Sequence, residues 1–212
     1  MDVLVVKIGG SLARSGDLPR WIQALEESRT PLVIVPGGGP FADAVRNNQS
    51  PIGYDDAAAH RMAILAMEQF GYALVSRGRR LVAAASEEAI AQALAADRIP
   101  VWMPSAMLFD DPDLPQDWSV TSDSLAAWLA RRLKAPRLLL VKQIDLPKDA
   151  TIESLSRARM VDEAFVQMLP ETVALSLAGP AALGSAGRRL AEGMVPGSVA
   201  RRTSTASAEA TP

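Results

Sequence analysis

Six short, continuous apolar runs recur along the chain between stretches of helical character. They cover residues 3–6, 32–35, 81–84, 100–103, 138–141 and 173–176. Runs of this length, bounded by glycine, proline or charge, are typical of strands buried on both faces of a parallel sheet. The segments between them, residues 18–27, 41–47, 55–76, 87–96, 122–133, 162–168 and 181–192, predict helices. This alternation predicts an α/β fold, a three-layer αβα sandwich around a mainly parallel sheet.

The predicted helix over residues 55–76 is apolar around nearly its whole circumference. Met62, Leu65, Phe70 and Tyr72 are among the large side chains that leave it little polar face. Such a helix needs cover on both sides. Two interpretations stay open from the pattern alone: a central helix buried within one subunit, or a helix at the interface of a homodimer.

Composition narrows the class of protein. The length of 212 residues predicts a single domain over residues 1–202, and residues 203–212, which lack large apolar side chains, predict a disordered tail. A net charge of -2 favours neither nucleic acid nor an anionic membrane as a partner. The absence of cysteine and the single histidine argue against thiolate or histidine-rich metal sites, so no metal-ligating residues are predicted. No signal peptide and no stretch of about 20 apolar residues is evident, which predicts a cytoplasmic protein.

A first chemical signal follows the first predicted strand. Lys7 lies at the carboxyl end of that strand, where ligands bind in open α/β sheets, and Gly9, Gly10 and Ser11 come next. Glycine lets the backbone approach a ligand closely, and N–H groups there can hold phosphate oxygens. This turn is therefore a candidate nucleotide-phosphate site, with Lys7 as a catalytic cation. The alternative is an ordinary turn with a solvated lysine.

A second glycine-rich turn, Gly37, Gly38 and Gly39, follows the second predicted strand. It also matches a dinucleotide-binding pattern through Ala42, which would indicate an oxidoreductase. That pattern normally opens the first strand–helix unit, whereas this turn opens the second. Two glycine turns on successive strands fit two anionic groups facing each other better than one dinucleotide, so this turn is a candidate substrate-binding segment.

Two further segments place charged groups near strand or helix ends. Thr121 or Ser122 can cap the helix that follows, and Asp123 lies in its first turn, where it either interacts with the helix dipole or holds Lys7 in its charged form. Lys142 and Asp145 follow the fifth apolar run, either as nucleotide-binding residues or as parts of a solvated loop.

Taken together, these segments resemble the amino acid kinase family, which includes acetylglutamate, uridylate, aspartate and isopentenyl phosphate kinases. The matching motifs are Lys-x-Gly-Gly-Ser at residues 7–11, the three glycines at 37–39, Thr-x-Asp-x-x-Ala at 121–126 and Val-Lys-x-x-Asp at 141–145. The resemblance covers about residues 3–200. It implies the amino acid kinase fold, ATP as phosphoryl donor, Mg²⁺ held mainly by the nucleotide phosphates, and Lys7 with Asp123 as the catalytic pair. It further implies that Thr121 and Ser122 bind substrate.

Within the family, the chain resembles most the short branch from methanofuran biosynthesis, through residues 59–69 and 118–124. Members of that branch phosphorylate an aminomethylfuran-methyl phosphate to its diphosphate. Other acceptors stay open, among them isopentenyl phosphate, a nucleoside monophosphate or an acylamino acid, as does a non-catalytic oxyanion-binding role. Isopentenyl phosphate kinases use a histidine near the position of His60, which here is either an acceptor-phosphate ligand or a structural residue.

The sequence departs from the wider family after Lys142. The usual glycine turn is replaced by Leu146 and Pro147, and the second lysine found in several members is absent; Arg157 and Arg159 are the candidates to replace it. An acceptor with an aminomethyl cation would need a carboxylate partner, because an unpaired buried ammonium is costly. The candidates for that carboxylate are Asp55, Asp56 and the adjacent pair Asp110 and Asp111.

Overall fold

One seven-stranded sheet forms the centre of the computed structural model, which describes residues 2–147 and 150–203. The strand order is β3-β4-β2-β1-β5-β6-β7, with every neighbouring pair parallel except β6 and β7. The strands are β1 (Leu4–Ile8), β2 (Leu32–Pro36), β3 (Leu81–Ala84), β4 (Ile99–Trp102), β5 (Arg137–Val141), β6 (Ala174–Ala178) and β7 (Ser198–Ala200). This confirms the mainly parallel sheet.

Helices cover both faces of the sheet. They are α1 (Leu18–Glu26), α2 (Gly39–Ile52), α3 (Asp56–Val75), α4 (Glu87–Ala95), α5 (Ser105–Leu108), α6 (Ser122–Arg132), α7 (Ile152–Arg157), α8 (Phe165–Met168) and α9 (Pro180–Ala191), with a 3₁₀ turn over Gly10–Arg14. Apolar side chains of β1 alternate between two core clusters. Val5, like Val3 just before the strand, faces the cluster that includes α6, α7 and α8, whereas Leu4 and Val6 face the cluster that includes α1 and α9. The layered architecture predicted from the sequence is therefore confirmed.

Several element boundaries differ from the sequence prediction. Helix α2 runs past Asn47 to Ile52 and ends at Gly53, which has a φ of 85°. Pro51 lies in its last turn, although proline removes a backbone hydrogen bond there. Helix α8 begins at Phe165 rather than Asp162. Strand β7 and helices α5 and α7 are short elements that the apolar pattern did not indicate.

The C-terminal segment that includes β7 is attached to the region around α7 and α8. Ile152 N–H donates to the Arg201 carbonyl at 2.8 Å, and the Arg202 guanidinium donates to the Leu169 carbonyl at 2.7 Å. Thr203 N–H donates to the Glu153 carboxylate at 3.1 Å. Residues 198–203 therefore hold the α7–α8 segment against the sheet. The tail predicted over 203–212 lies, from residue 204 onward, outside the described residues.

Among the described residues, helix α3 is covered by the rest of the protein on one side only. Ile64 and Phe70 are buried in the core, whereas Met62, Leu65 and Tyr72 are 39%, 42% and 60% exposed. The pattern thus predicted an apolar helix correctly, and the exposed stripe is what a second subunit would cover; the homodimer stays a prediction. Across the described part of the chain, no helix combines the length and apolar character that crossing a membrane requires.

Candidate active site

The two glycine-rich turns contact each other directly at the carboxyl ends of β1 and β2. A Cβ added to Gly10 would lie 2.2 Å from the Gly39 nitrogen, and one added to Gly37 would lie 2.4 Å from the Gly10 nitrogen. Gly39 also has a φ of 54°, a backbone conformation that glycine adopts without steric cost. Backbone packs against backbone here, so a side chain does not fit at either Gly10 or Gly37 without displacing the facing turn.

The first glycine of each turn continues the sheet instead of facing open space. Gly9 N–H donates to the Val141 carbonyl, and Gly37 N–H donates to the Ile8 carbonyl, both at 2.9 Å. These two N–H groups are therefore not available to phosphate, contrary to the expectation for Gly9 and Gly37. Gly38 and Gly39 lie at the start of α2, where the first N–H groups of a helix have no intrahelical acceptor.

Next to the turns lies a cleft of about 260 Å³ between α2 and α3, which we call the His60 cleft. Its floor is apolar and includes Ile64 and Met67. Its polar lining consists of residues from both glycine turns and from three other segments: Gly10, Ser11, Gly38, Gly39, Asp43, Arg46, His60, Trp118, Thr121 and Ser122. The cleft thus brings together seven residues that the sequence analysis singled out separately.

His60 presents one ring nitrogen without a partner. The side chain is 4% exposed, its Nδ1 lies 3.2 Å from the Asp117 carbonyl oxygen, and its Nε2 has no hydrogen-bond partner among the described residues. Burial lowers the pKa of His60 below its ordinary value, against the opposing effect of the Asp117 carbonyl and carboxylate. The neutral ring donates from Nδ1 to that carbonyl, which leaves Nε2 free to take up a proton.

Asp123 bridges two lysines in the interior. Its Oδ1 lies 2.9 Å from the Lys7 Nζ, outside good hydrogen-bond geometry, and its Oδ2 accepts a hydrogen bond from the Lys142 Nζ at 2.6 Å. The side chains of Lys7, Asp123 and Lys142 are 6%, 7% and 15% exposed. The predicted pairing of Lys7 with Asp123 is therefore present in the structure, and Lys142, which we assigned to the nucleotide from sequence, shares the same carboxylate.

The three charges perturb one another. Burial acts to raise the pKa of Asp123, but the Lys7 and Lys142 ammonium groups outweigh it and hold that pKa below its ordinary value. Burial and the Lys7 charge lower the pKa of Lys142, although Asp123 opposes them. Among these three side chains two cations face one anion, and the Asp162 carboxylate adds a further negative charge that also acts on Lys142.

Asp162, which the sequence analysis missed, fixes the start of α6. Its carboxylate accepts hydrogen bonds from the Thr121 N–H at 2.9 Å, the Thr121 hydroxyl at 2.7 Å and the Ser124 N–H at 3.1 Å, and from the Ser124 hydroxyl. It therefore acts as the N-cap from a segment 41 residues away, whereas Thr121 makes no capping bond with its own side chain. No local sequence pattern signals a cap supplied from so far along the chain.

A second, larger cleft of about 940 Å³ opens on the other side of Thr121, and we call it the Lys142 cleft. Asp123, Lys142, Arg159 and Asp162 are among its lining residues. Arg159 has a φ of 51°, so it occupies a left-handed conformation that non-glycine residues rarely adopt. Of the two arginines considered as substitutes for a second lysine, Arg159 therefore lines the cleft, whereas Arg157 is not among its lining residues.

Several candidate residues lie elsewhere. Asp145 accepts a hydrogen bond from the Ala181 N–H at 3.1 Å, at the start of α9. Asp55 caps α3 by accepting from the Ala58 N–H at 2.8 Å. The carboxylates proposed for a substrate ammonium are all absent from the lining of the His60 cleft; the carboxylate that lines it is Asp43. In the described ranges 2–147 and 150–203, no group of three or more acidic, histidine or cysteine side chains is arranged to hold a metal ion.

Comparison with known proteins agrees with this fold. The model of the amino acid kinase family matches residues 2–163. A relative from Methanocaldococcus jannaschii, [5-(aminomethyl)furan-3-yl]methyl phosphate kinase, is 28% identical over 145 residues, which span 66% of this chain and 66% of the relative, just under two thirds of its length. The crystal structure of uridylate kinase from Archaeoglobus fulgidus superposes with a TM-score of 0.70 at 15% identity, covering 94% of this chain and 100% of that one. UMP kinase from Ureaplasma parvum gives a TM-score of 0.64 at 16% identity, covering 85% and 90%.

Proposed function

We propose that this chain, which belongs to the amino acid kinase family and is a phosphotransferase, moves the γ-phosphoryl group of ATP onto a small phosphate monoester to give a diphosphate. The candidate acceptor is [5-(aminomethyl)furan-3-yl]methyl phosphate, the compound in the name of the Methanocaldococcus jannaschii relative. In the transfer, the bond between the γ-phosphorus and its bridging oxygen breaks, and an acceptor phosphate oxygen forms the new bond. A dianionic acceptor has no proton to lose, so no general base is needed.

The observation that carries this proposal is the buried Lys7–Asp123–Lys142 group beside two adjoining clefts. Phosphoryl transfer depends mainly on positioning and on stabilisation of negative charge, and the fixed Lys7 and Lys142 cations would supply the second. Asp123 is occupied by both lysines and no carboxylate cluster is available in the described residues. Mg²⁺ would accordingly be held by the nucleotide phosphates, whose charge it would neutralise.

The acceptor would bind in the His60 cleft and the nucleotide in the Lys142 cleft. The backbone at Gly38 and Gly39, together with the unpartnered Nε2 of His60, suits the oxygens of a phosphate monoester. The contact between the glycine turns argues against a dinucleotide, because the Gly10 turn occupies the space in front of Gly37. The acceptor alternatives named from the sequence remain as members of the test panel below.

Asp43 would be the partner of a cationic group on the acceptor. It lines the His60 cleft one turn before Arg46 on α2, and within residues 2–147 and 150–203 it takes part in no ion pair. An aminomethyl ammonium bound there would find its counter-charge at the mouth of the cleft. Isopentenyl phosphate and UMP carry no such cation, so this carboxylate favours the furan phosphate over them.

The test is ATP turnover against a panel of acceptors with identification of the product. The panel contains the aminomethylfuran phosphate, its 5-methyl analogue without the amine, isopentenyl phosphate, UMP and N-acetylglutamate. We expect a diphosphate product from the aminomethylfuran phosphate, with the 5-methyl analogue a poorer acceptor. Lys7→Ala should lower turnover by about 10²–10³-fold, because a charge acting on the transition state is lost. Lys134→Asn, which removes an exposed lysine, is the control. Turnover of no acceptor, or an unaffected Lys7→Ala variant, contradicts the proposal.

A homodimer formed through α3 would bury the exposed apolar side chains of Met62, Leu65 and Tyr72, which lie on one face of that helix. The single-domain organisation and the cytoplasmic location expected from sequence also stay predictions.

A further inference from the structure

Three residues line both the His60 cleft and the Lys142 cleft, and they mark where the clefts meet. They are Arg46 on α2, Trp118 in the loop before α6, and Thr121. Two of the three are uncharged, and the Thr121 hydroxyl donates to Asp162. Arg46 is therefore the residue that contributes a full charge at the meeting point of the two clefts.

The planar guanidinium of Arg46 stacks on the indole ring of Trp118. Its guanidinium carbon lies 4.3 Å from the centroid of the Trp118 ring, in a cation–π stack. Trp118 is fixed in turn, because its Nε1 donates to the Gln49 Oε1 at 2.7 Å. The Gln49 Nε2 donates to Asp56 at 2.7 Å, which ties this arrangement to the start of α3. The stack thus orients the guanidinium through elements that also form the walls of the His60 cleft.

Among the described residues, no carboxylate pairs with the guanidinium N–H groups of Arg46. Across the described residues, the arginines in ion pairs are Arg20, Arg80, Arg132 and Arg137, and Arg46 is not among them. Its side chain also donates no hydrogen bond to a described protein group, whereas Arg61, which is similarly stacked on Phe109 at 5.1 Å, donates to the Phe109 carbonyl. A guanidinium that is oriented by stacking, and whose N–H groups have no protein acceptor among the described residues, is suited to bidentate contacts with phosphate oxygens.

We propose that Arg46 is a catalytic residue that binds the oxygens of the acceptor phosphate and of the phosphoryl group in transfer, and that Trp118 is its positioning residue. This inference rests on the proposed function, since it takes the two clefts as acceptor and donor sites. Lys7 and Lys142 share one carboxylate in the interior, and Arg46 supplies a further cation where the two clefts meet. Negative charge that spreads over the oxygens between the clefts would then be stabilised by Arg46 together with the two lysines.

The experiment measures kcat and KM for ATP and acceptor in Arg46→Ala, Arg46→Lys and Trp118→Leu. We expect Arg46→Ala to lower kcat/KM for the acceptor by about 10–100-fold, the effect of losing hydrogen bonds to a charged group. Arg46→Lys should recover only part of this, because an ammonium lacks the fork geometry. Trp118→Leu should lower kcat/KM less than Arg46→Ala does, and it should add little in the double variant. Arg61→Ala is the matched control, since it removes an arginine stacked on an aromatic ring away from both clefts.

Chemical rescue separates a role in catalysis from a role in folding. Millimolar guanidinium ion should restore part of the Arg46→Ala activity, and sodium at equal ionic strength should not. An Arg46→Ala variant that keeps wild-type kcat/KM, or that loses activity without rescue while Arg46→Lys is equally inactive and destabilised, overturns the proposal.

Failure of the proposed function gives a different result. If the wild-type protein phosphorylates no acceptor, calorimetric titration with inorganic pyrophosphate decides the role of Arg46. A loss of pyrophosphate affinity of tenfold or more in Arg46→Ala, with none in Arg61→Ala, supports an anion site at this junction. Equal pyrophosphate affinity in the wild-type protein and in both variants overturns it.

Discussion

Replacing Asp123 by asparagine isolates the charge balance of the buried group. The two side chains have nearly the same shape, so the change removes the negative charge and turns one of the two acceptor oxygens into an NH₂ donor. In the structure that charge lies 2.9 Å from the Lys7 Nζ and 2.6 Å from the Lys142 Nζ, with all three side chains at most 15% exposed. The variant leaves two largely buried cations without their shared partner.

The expected loss of stability is large. Removing one partner of a buried ion pair costs about 3–5 kcal/mol, a sizeable part of the roughly 5–15 kcal/mol that stabilises a typical domain. For a chain of about 150–250 residues, each kcal/mol corresponds to about 2–4 °C in Tm, which gives a fall of about 6–20 °C. Turnover should fall as well, because Lys7 is no longer held in place.

The sign of the pH dependence follows from Lys142. Burial and the Lys7 charge already lower its pKa, and loss of Asp123 removes the group that opposes them. A lysine whose pKa is lower in the folded than in the unfolded state makes the fold less stable at neutral pH, and this penalty shrinks as pH rises toward the unfolded value of about 10.4. The Tm difference between wild type and Asp123→Asn should therefore be smaller at pH 9 than at pH 7.

Thermal unfolding followed by circular dichroism measures these effects. The series contains Asp123→Asn, Lys142→Met and the double variant, which should be more stable than Asp123→Asn because one of the two uncompensated cations is gone. Asp97→Asn is the matched control: it breaks an exposed pair with Arg80 and should cost about 0–1 kcal/mol. A Tm for Asp123→Asn within about 2 °C of wild type at pH 7, taking the scale of 2–4 °C per kcal/mol, would refute the reasoning.

Three further predictions concern the His60 cleft and the α3 surface. The acceptor KM of the wild-type protein should rise from pH 6 to pH 8, because a bound phosphate favours the protonated form of His60. In the free protein, burial lowers the pKa of that imidazole, so the ring loses its proton as the pH rises. In a kinetic pH profile, His60→Gln should flatten the rise in KM. Light scattering should show a 22.5 kDa monomer for Leu65→Asp and a dimer for the wild-type protein. Val199→Asp is the control, since it makes the same kind of change at another exposed apolar residue and should stay dimeric. A monomeric wild-type protein contradicts the dimer. Gly10→Ala should abolish acceptor binding in a calorimetric titration, since its Cβ would lie 2.2 Å from the backbone of the facing turn. Gly16→Ala is the control: its Cβ would meet open space, so this variant should bind the acceptor normally.

The sequence predicted the fold well for strands that are buried along their whole length. The strands at residues 32–35 and 138–141 are buried on both faces, so their apolar runs carried an unambiguous signal. Strand β7 could not be found in this way, because Ser198 and Val199 are exposed and its pairing with β6 is antiparallel. Helix α2 was predicted too short, since only Val45 is buried along it and its polar residues gave no periodic signal.

The site was predictable as far as backbone turns and local motifs define it. Lys7 and Asp123 were paired from motif order, and the structure places their charged atoms in contact. The role of Asp162 was not visible, because a cap supplied by a distant segment leaves no mark on the sequence near α6. Asp43 was also missed: a carboxylate on a polar helix resembles any solvated residue until the cleft beside it is known.

The attachment of residues 198–203 to the α7–α8 segment has a consequence for protein synthesis. A ribosome delivers β7 after every lining residue of both clefts, so the α7–α8 segment, which contributes residues to the Lys142 cleft, gains its final support last. A chain that ended before residue 198 would keep every lining residue of both clefts but would lose the contacts that hold the α7–α8 segment against the sheet.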